Sequence, residues 1–139
     1  MTKYLLDTNV ISEMTKPAPN AALKEWLRSI DSRTTYLSAL TIGEIVEGLE
    51  RLRSSARRRH LQMWFDGLIA EYADRILAID AAVACVWGKL RAQAKAGGAS
   101  LPIGDGYIAA TAITHGLVLV TRNTRDFVRT GAQLLDPFR

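Results

Sequence analysis

The chain has 139 residues, of which 48% are hydrophobic and 23% charged, so it can bury a core and does not have the composition of a disordered protein. Its net charge of +4 includes 13 Arg against five Lys, which leans toward a nucleic-acid partner but is too modest to establish one. The single cysteine, Cys85, excludes an internal disulfide and a cysteine-based zinc cluster. There is no apolar run long enough for a signal peptide or a membrane span. We therefore expect one cytoplasmic domain over residues 1–139.

Five short apolar runs predict five β-strands, over residues 4–6, 35–38, 75–79, 117–120 and 133–135. The segments between them carry apolar residues at helical spacing. Asn20, Asp80 and Pro102 are start signals for three of these helices, and Gly97 is a stop signal. Strands that alternate with helices, without a tight-turn hairpin signal, predict an α/β fold with a parallel sheet covered on both faces.

The first strand ends at a carboxylate, Asp7, followed directly by Thr8 and Asn9. In open α/β sheets, ligands bind beside the carboxyl ends of strands, so Asp7 is a candidate site residue. Asp is also a favoured helix N-cap, a role that contributes about 0.5 to 2 kcal/mol. For Asp7 considered alone, the two interpretations are equally good.

A second carboxylate, Glu44, lies in the helix after the second strand. At about 100° per residue, Glu44 falls beside Thr41 and Gly48, small residues that leave space above it, whereas Glu47 lies opposite the apolar stripe. Glu44 is therefore the candidate site residue of this helix.

The third carboxylate, Asp105, lies in the first turn of a helix, between two glycines. An acid there can simply complement the helix dipole, for about 0.3 to 1 kcal/mol. The flanking Gly104 and Gly106 each cost about 1 kcal/mol in a helix, however, and indicate the close approach of backbone or ligand. We therefore favour a functional role for Asp105.

The last buried strand is followed by Thr121, Asn123 and Asp126. In a doubly wound sheet this loop would lie beside Asp7. Asn123 or Asp126 could equally cap the short helix that follows.

Taken as a set, Asp7, Glu44, Asp105 and Asp126 are poorly explained by independent caps. Clustered carboxylates repel one another and need a cation, and oxygen-only ligands favour Mg²⁺ or Mn²⁺ over zinc. Such a site activates water in nucleases and phosphatases. The residues alone thus indicate phosphoester hydrolysis.

Four segments in order resemble the PIN-domain ribonucleases, specifically the VapC-like toxins of bacterial toxin–antitoxin pairs. They are Leu5–Ser12, Leu37–Glu44, Asp105–Ala112 and Thr121–Phe127. The resemblance covers the whole chain. It implies a three-layer α/β/α sandwich with a sheet of about five parallel strands, Mg²⁺- or Mn²⁺-dependent cleavage of RNA, a cognate antitoxin, and a homodimer that joins larger toxin–antitoxin complexes.

The resemblance also implies roles for individual residues. Asp7 and Asp105 would bind the metal, and Glu44 would complete the cluster or position water. The family usually has a fourth acid directly after the Thr–Arg pair, where this chain has Asn123, so either Asn123 or Asp126 would take that position. The polar side chains expected to support the site by hydrogen bonds are Thr8, Asn9, Thr121 and Asn123.

The basic stretch around Arg57, Arg58 and Arg59, together with Arg122, could contact the RNA backbone, or the stretch could be a solvated helix joint. A metal-free ribonuclease would need His60 and His115 together, and they fall on separate helices. A catalytically weak or inactive PIN-fold binding module is the remaining alternative, because Asn123 is neutral.

Overall fold

A computed structural model describes all residues 1–139 and shows five strands and six α-helices. Three 3₁₀ turns, Ser32–Thr34, Thr124–Asp126 and Val128–Thr130, lie in the connections. In chain order the elements are β1 (Tyr4–Leu6), α1 (Thr8–Glu13), α2 (Ala21–Ser29), β2 (Thr35–Ser38), α3 (Ala39–Arg51), α4 (Ala56–Glu71), β3 (Ile76–Leu77), α5 (Ala81–Ala96), α6 (Ile103–His115), β4 (Val118–Val120) and β5 (Leu134–Leu135).

All five strands pair in parallel, in the order β3-β2-β1-β4-β5. The central strand β1 pairs with β2 on one side, Leu5 opposite Tyr36, and with β4 on the other, Leu5 opposite Leu119. The chain first winds outward through β2 and β3 and then restarts on the far side of β1 with β4 and β5. The carboxyl ends of β1 and β4 therefore flank the point where the winding reverses, which is where open α/β sheets bind ligands.

Side chains that alternate along the strands divide the interior into two cores. Leu5 and Leu119 point to one face of the sheet, where α5 and α6 cover them. Leu6 and Val120 point to the other face, which helices α1 to α4 cover. The arrangement is the three-layer sandwich that the sequence predicts.

Helix α6 is buried on nearly every side. Ala109, Ala110 and Ala112 are fully buried and Ile108 is 2% exposed, which is expected of a helix enclosed between a sheet and another helix. Gly116 ends the helix with φ at 65°, in the left-handed region that glycine adopts readily. This buried helix holds Asp105 in a fixed position in its first turn.

The predicted elements are confirmed, with shorter ends. The third strand covers only Ile76–Leu77 rather than residues 75–79. Asn20 and Asp80 are N-caps, with side chains that accept hydrogen bonds from the amides three residues later, and α6 begins directly after Pro102. None of the helices combines the length and the apolar character that crossing a bilayer would require.

Candidate active site

Asp7 lies at the carboxyl end of β1, where three donors surround its carboxylate. Its Oδ1 accepts a hydrogen bond from the Thr8 amide (2.8 Å), and its Oδ2 accepts one from Thr121 Oγ1 (2.8 Å) and a longer one from Asn9 Nδ2 (3.4 Å). The backbone amide of Asp7 also donates to Val120 O (2.9 Å), which ties β1 to the end of β4. Asp7 thus caps α1, but through the first helical amide rather than the second or third amide of an ordinary cap.

The surroundings of Asp7 also disfavour the charged form of its carboxyl group. Burial raises its pKa above the ordinary value, the hydrogen bonds from Thr121 and Thr8 lower it in part, and the charges of Glu44 and Asp126 raise it further. Since a helix cap needs neither burial nor like-charged neighbours, the two interpretations of Asp7 are no longer equal. A bound cation would favour the charged form.

Glu44 reaches the site from α3 across a chain of hydroxyls. Thr8 Oγ1 donates to Glu44 Oε1 (2.7 Å) and lies 3.1 Å from the hydroxyl of Thr41, which is fully buried. Glu44 itself is exposed, so its second oxygen faces solvent. Thr8 therefore joins the carboxylates that follow β1 and β2.

Asp105 is partly buried in the first turn of α6, and its carboxylate makes no hydrogen bond within the protein. Burial raises its pKa, and the charges of Asp7, Asp126 and Glu44, in that order, raise it further. These interactions place all four predicted acids in one electrostatic neighbourhood.

The turn after β4 is fixed by hydrogen bonds to Asn9. The Arg122 amide donates to Asn9 Oδ1 (3.2 Å), and Asn9 Nδ2 donates to Thr121 Oγ1 (3.2 Å). The Asn123 amide donates to the same hydroxyl (3.0 Å). Asn123 occupies the N-cap position of the 3₁₀ turn Thr124–Asp126, but its side chain makes no capping hydrogen bond, and Asp126 lies within that turn and caps nothing.

The oxygen donors fit a hard divalent cation of the magnesium kind. No three acidic, histidine or cysteine side chains converge closely enough to enclose an ion. Mg²⁺ normally keeps several waters and is held by one or two carboxylates together with substrate phosphates. Asp7, which hydroxyl and amide donors hold in place, and Asp105, whose carboxylate has no partner in the protein, match that loose mode of binding and not a closed cage.

The three arginines predicted to contact RNA at the start of α4 differ in their surroundings. Arg58 donates to Leu52 O (3.0 Å) and Glu50 Oε2 (3.2 Å), so it braces the joint between α3 and α4. Arg57 lines a small groove of about 270 Å³ together with Glu44. Arg59 is exposed. Arg57 therefore stays a candidate, whereas the solvated joint describes Arg58 better.

Arg122 is engaged as well. Its guanidinium lies over the ring of Phe138 (4.0 Å) and 3.8 Å from Glu13, which is only 6% exposed. The sequence interpretation missed Glu13, because a Glu three residues before Lys16 is an ordinary surface pattern. It also missed Arg125 and Arg129, although both flank Asp126 in the sequence.

Comparison with known proteins agrees with this geometry. The family model for the PIN domain matches residues 4–133. The chain belongs to the PIN-domain family. This PIN domain is 38% identical to the VapC ribonuclease Y4jK of Sinorhizobium fredii, over 96% of both chains. It is 37% identical to toxin FitB of Neisseria gonorrhoeae, over 96% of this chain and 97% of that protein.

The fold of this PIN domain is also found in solved structures. The crystal structure of FitAcB from Neisseria gonorrhoeae superposes with a TM-score of 0.92 at 36% identity, covering 98% of this chain and 99% of that one. Several neighbours with the same fold are toxin–antitoxin complexes, some of them bound to DNA. The family and fold predicted from the sequence are confirmed.

Proposed function

We propose that this protein is a metal-dependent endoribonuclease, the toxin of a toxin–antitoxin pair, and that a cognate antitoxin inhibits it. The observation that carries the proposal is that the charges of Glu44 and Asp126 raise the pKa of both Asp7 and Asp105 near the reversal point of the sheet, in a chain whose relatives include a ribonuclease and a toxin. The sequence predicts these acids, and the geometry supports their shared role.

In this proposal Asp7 and Asp105 hold Mg²⁺ or Mn²⁺. The cation would supply Lewis acidity toward the phosphate and favour ionisation of the attacking water. Thr121 and the Thr8 amide keep the Asp7 carboxylate in position through their hydrogen bonds. Asn9 Nδ2 donates to the Thr121 hydroxyl in turn, so the Asp7 carboxylate is held in place before substrate arrives.

Glu44 would orient the attacking water. One of its oxygens is held by the Thr8 hydroxyl and the residue is exposed, so the other oxygen is free to accept a proton. Asp126, rather than Asn123, would take the fourth acidic position, because its charge acts on both Asp7 and Asp105.

Cleavage of RNA tests this proposal. Purified protein would be incubated with total RNA in Mg²⁺ or Mn²⁺, with and without chelator, beside Asp7→Asn and Asp105→Asn. Asp66→Asn is the matched control, since Asp66 is an exposed acid on α4 that bonds only to Gln62. We expect chelator and both site variants to abolish cutting, with the control unaffected.

The chemistry of the product ends separates two mechanisms. Attack by water leaves a 5′-phosphate and a 3′-hydroxyl, whereas a 2′,3′-cyclic phosphate would indicate attack by the ribose hydroxyl. Cutting that survives chelation contradicts the metal mechanism. A protein that binds RNA but never cuts it would be the inactive binding module.

The role proposed here places the protein in the cytoplasm as a single PIN domain that forms homodimers and larger assemblies with its antitoxin. Light scattering measures the mass of the toxin alone and of the toxin with its antitoxin, and so tests both the homodimer and the larger assembly. A monomer at working concentration would contradict the dimer.

A further inference from the structure

A cleft of about 680 Å³ opens beside the acidic cluster. It lies between the last turns of α5, the start of α6 and the two 3₁₀ turns after β4. Asp105 and Asp126 line it, so the cleft is continuous with the proposed catalytic site. Its volume falls within the range of about 300 to 1,000 Å³ that is usual for ligand sites.

Two arginine side chains that line this cleft have no partner in the protein. Arg125 and Arg129 both line it and are both exposed, and neither forms an ion pair or a side-chain hydrogen bond. In contrast, Arg58, Arg75 and Arg122 each contact a carboxylate. Arg125 and Arg129 are therefore free to bind phosphate, for which the guanidinium group is well suited.

The cleft also has an apolar wall. Val128, which is 65% exposed, lines it, and so do Pro102 and Leu101, of which Leu101 is 8% exposed. Cations that line a groove bind the phosphates of single-stranded nucleic acid, and apolar side chains can pack against a base.

We propose that this cleft is an RNA subsite that holds the nucleotide next to the scissile phosphate. Arg125 and Arg129 bind the phosphate on its far side, and Leu101, Pro102 and Val128 contact the base. Because Asp105 and Asp126 line the cleft, a nucleotide bound there would lie directly beside the proposed cutting site. This inference rests on the proposed function, since it assumes that RNA is the substrate.

The test is the double variant Arg125→Gln/Arg129→Gln. The matched control is Arg28→Gln/Arg33→Gln, which removes the same charge. Arg28 and Arg33 are exposed, form no ion pair, and precede β2. They therefore lie toward the amino ends of the strands, away from the carboxyl ends that carry the site. The probe is a fluorescent single-stranded RNA of 12 mixed nucleotides. Its affinity is measured by anisotropy in chelator, and its cleavage at single turnover in Mn²⁺.

We expect the cleft variant to weaken RNA affinity about tenfold and to reduce the slope of log affinity against log salt by about 0.7, since the two arginines share one phosphate and each single-strand phosphate contact contributes about 0.7. In cleavage, the half-saturating concentration should rise while the maximal rate stays within about threefold. The control variant should bind and cut as the wild type does.

Unchanged affinity in the cleft variant, or an equal loss in the control, overturns the subsite. If wild-type protein binds RNA through the cleft but never cuts it, the proposed function fails and the subsite stands. If wild-type protein cuts RNA and the cleft variant behaves identically, only the subsite fails. Absence of any binding by the wild type overturns both.

Discussion

Replacement of Gly106 by alanine should destabilise the protein, although alanine is the better helix former. A Cβ at Gly106 would lie 2.9 Å from Cδ1 and 3.0 Å from Nε1 of Trp87. The indole cannot move away easily, because it stacks on Tyr107 with ring centroids 4.7 Å apart and donates to Ile103 O. Overpacking of this kind costs about 1 to 3 kcal/mol, and helix propensity returns about 1 kcal/mol. We expect a net loss of up to about 2 kcal/mol in the free energy of unfolding.

Two glycines provide controls for this prediction. A Cβ at Gly88, inside α5, meets nothing within 4 Å, and one at Gly104 meets only Leu40 Cδ2 at 3.6 Å, an ordinary contact. Gly88→Ala should therefore stabilise the protein by about 0.5 to 1 kcal/mol, and Gly104→Ala should be neutral or stabilising. Urea unfolding followed by tryptophan fluorescence measures all three.

The clash with Trp87 can be isolated in a double variant. In a Trp87→Leu background the cost of Gly106→Ala should largely disappear, because the colliding atoms are gone. If Gly106→Ala is as stable as Gly88→Ala, or if its cost persists without the indole, the reasoning is wrong.

Three further variants address the acids. Asp105→Asn should raise the melting temperature in chelator at pH 7, because the raised pKa of Asp105 means that its charged form opposes folding. The difference in melting temperature from the wild type should disappear as the pH falls through that pKa. A lower melting temperature of the variant at pH 7 would refute this. Asp126→Asn should slow RNA cleavage at least tenfold, and Asn123→Ala should slow it less than threefold. The reverse order of single-turnover rates would assign the fourth acidic position of the site to Asn123. Glu13→Gln should lower the melting temperature at pH 7, because Lys16 and the Asn20 amide lower the pKa of Glu13 and its charged form stabilises the fold. The difference in melting temperature should vanish once the pH falls below that lowered pKa. A difference that does not depend on pH would exclude the charge as its cause.

The architecture could be predicted from local patterns because each element carries its own signal. The strands are short apolar runs, and Asn20 and Asp80 mark helix starts that the structure reproduces. The ends of the elements were less predictable. Residues 75–79 have the composition of a strand, but only Ile76–Leu77 pair with β2, because pairing depends on the neighbouring strand and not on the run itself.

Within the site, the acids were predictable and their surroundings were not. Asp7 and Asp105 follow from strand ends and helix starts, which the sequence displays. The two glycines around Asp105 indicated a close approach, and the structure shows one at Gly106, where Trp87 leaves no room for a Cβ. Glu13 is buried and contacts Arg122, which is distant in the sequence, and the amide of Asn20, and no local pattern reveals this environment.

Binding of Mn²⁺ measured by calorimetry, without RNA, tests the central claim most directly. If Asp7 and Asp105 form one cation site at the reversal point of the sheet, the wild-type protein binds Mn²⁺, and Asp7→Asn and Asp105→Asn each abolish that binding, whereas Asp66→Asn retains it. Equal binding by the wild type and both site variants would contradict the claim, as would a wild-type protein that binds no Mn²⁺ and cleaves RNA in chelator.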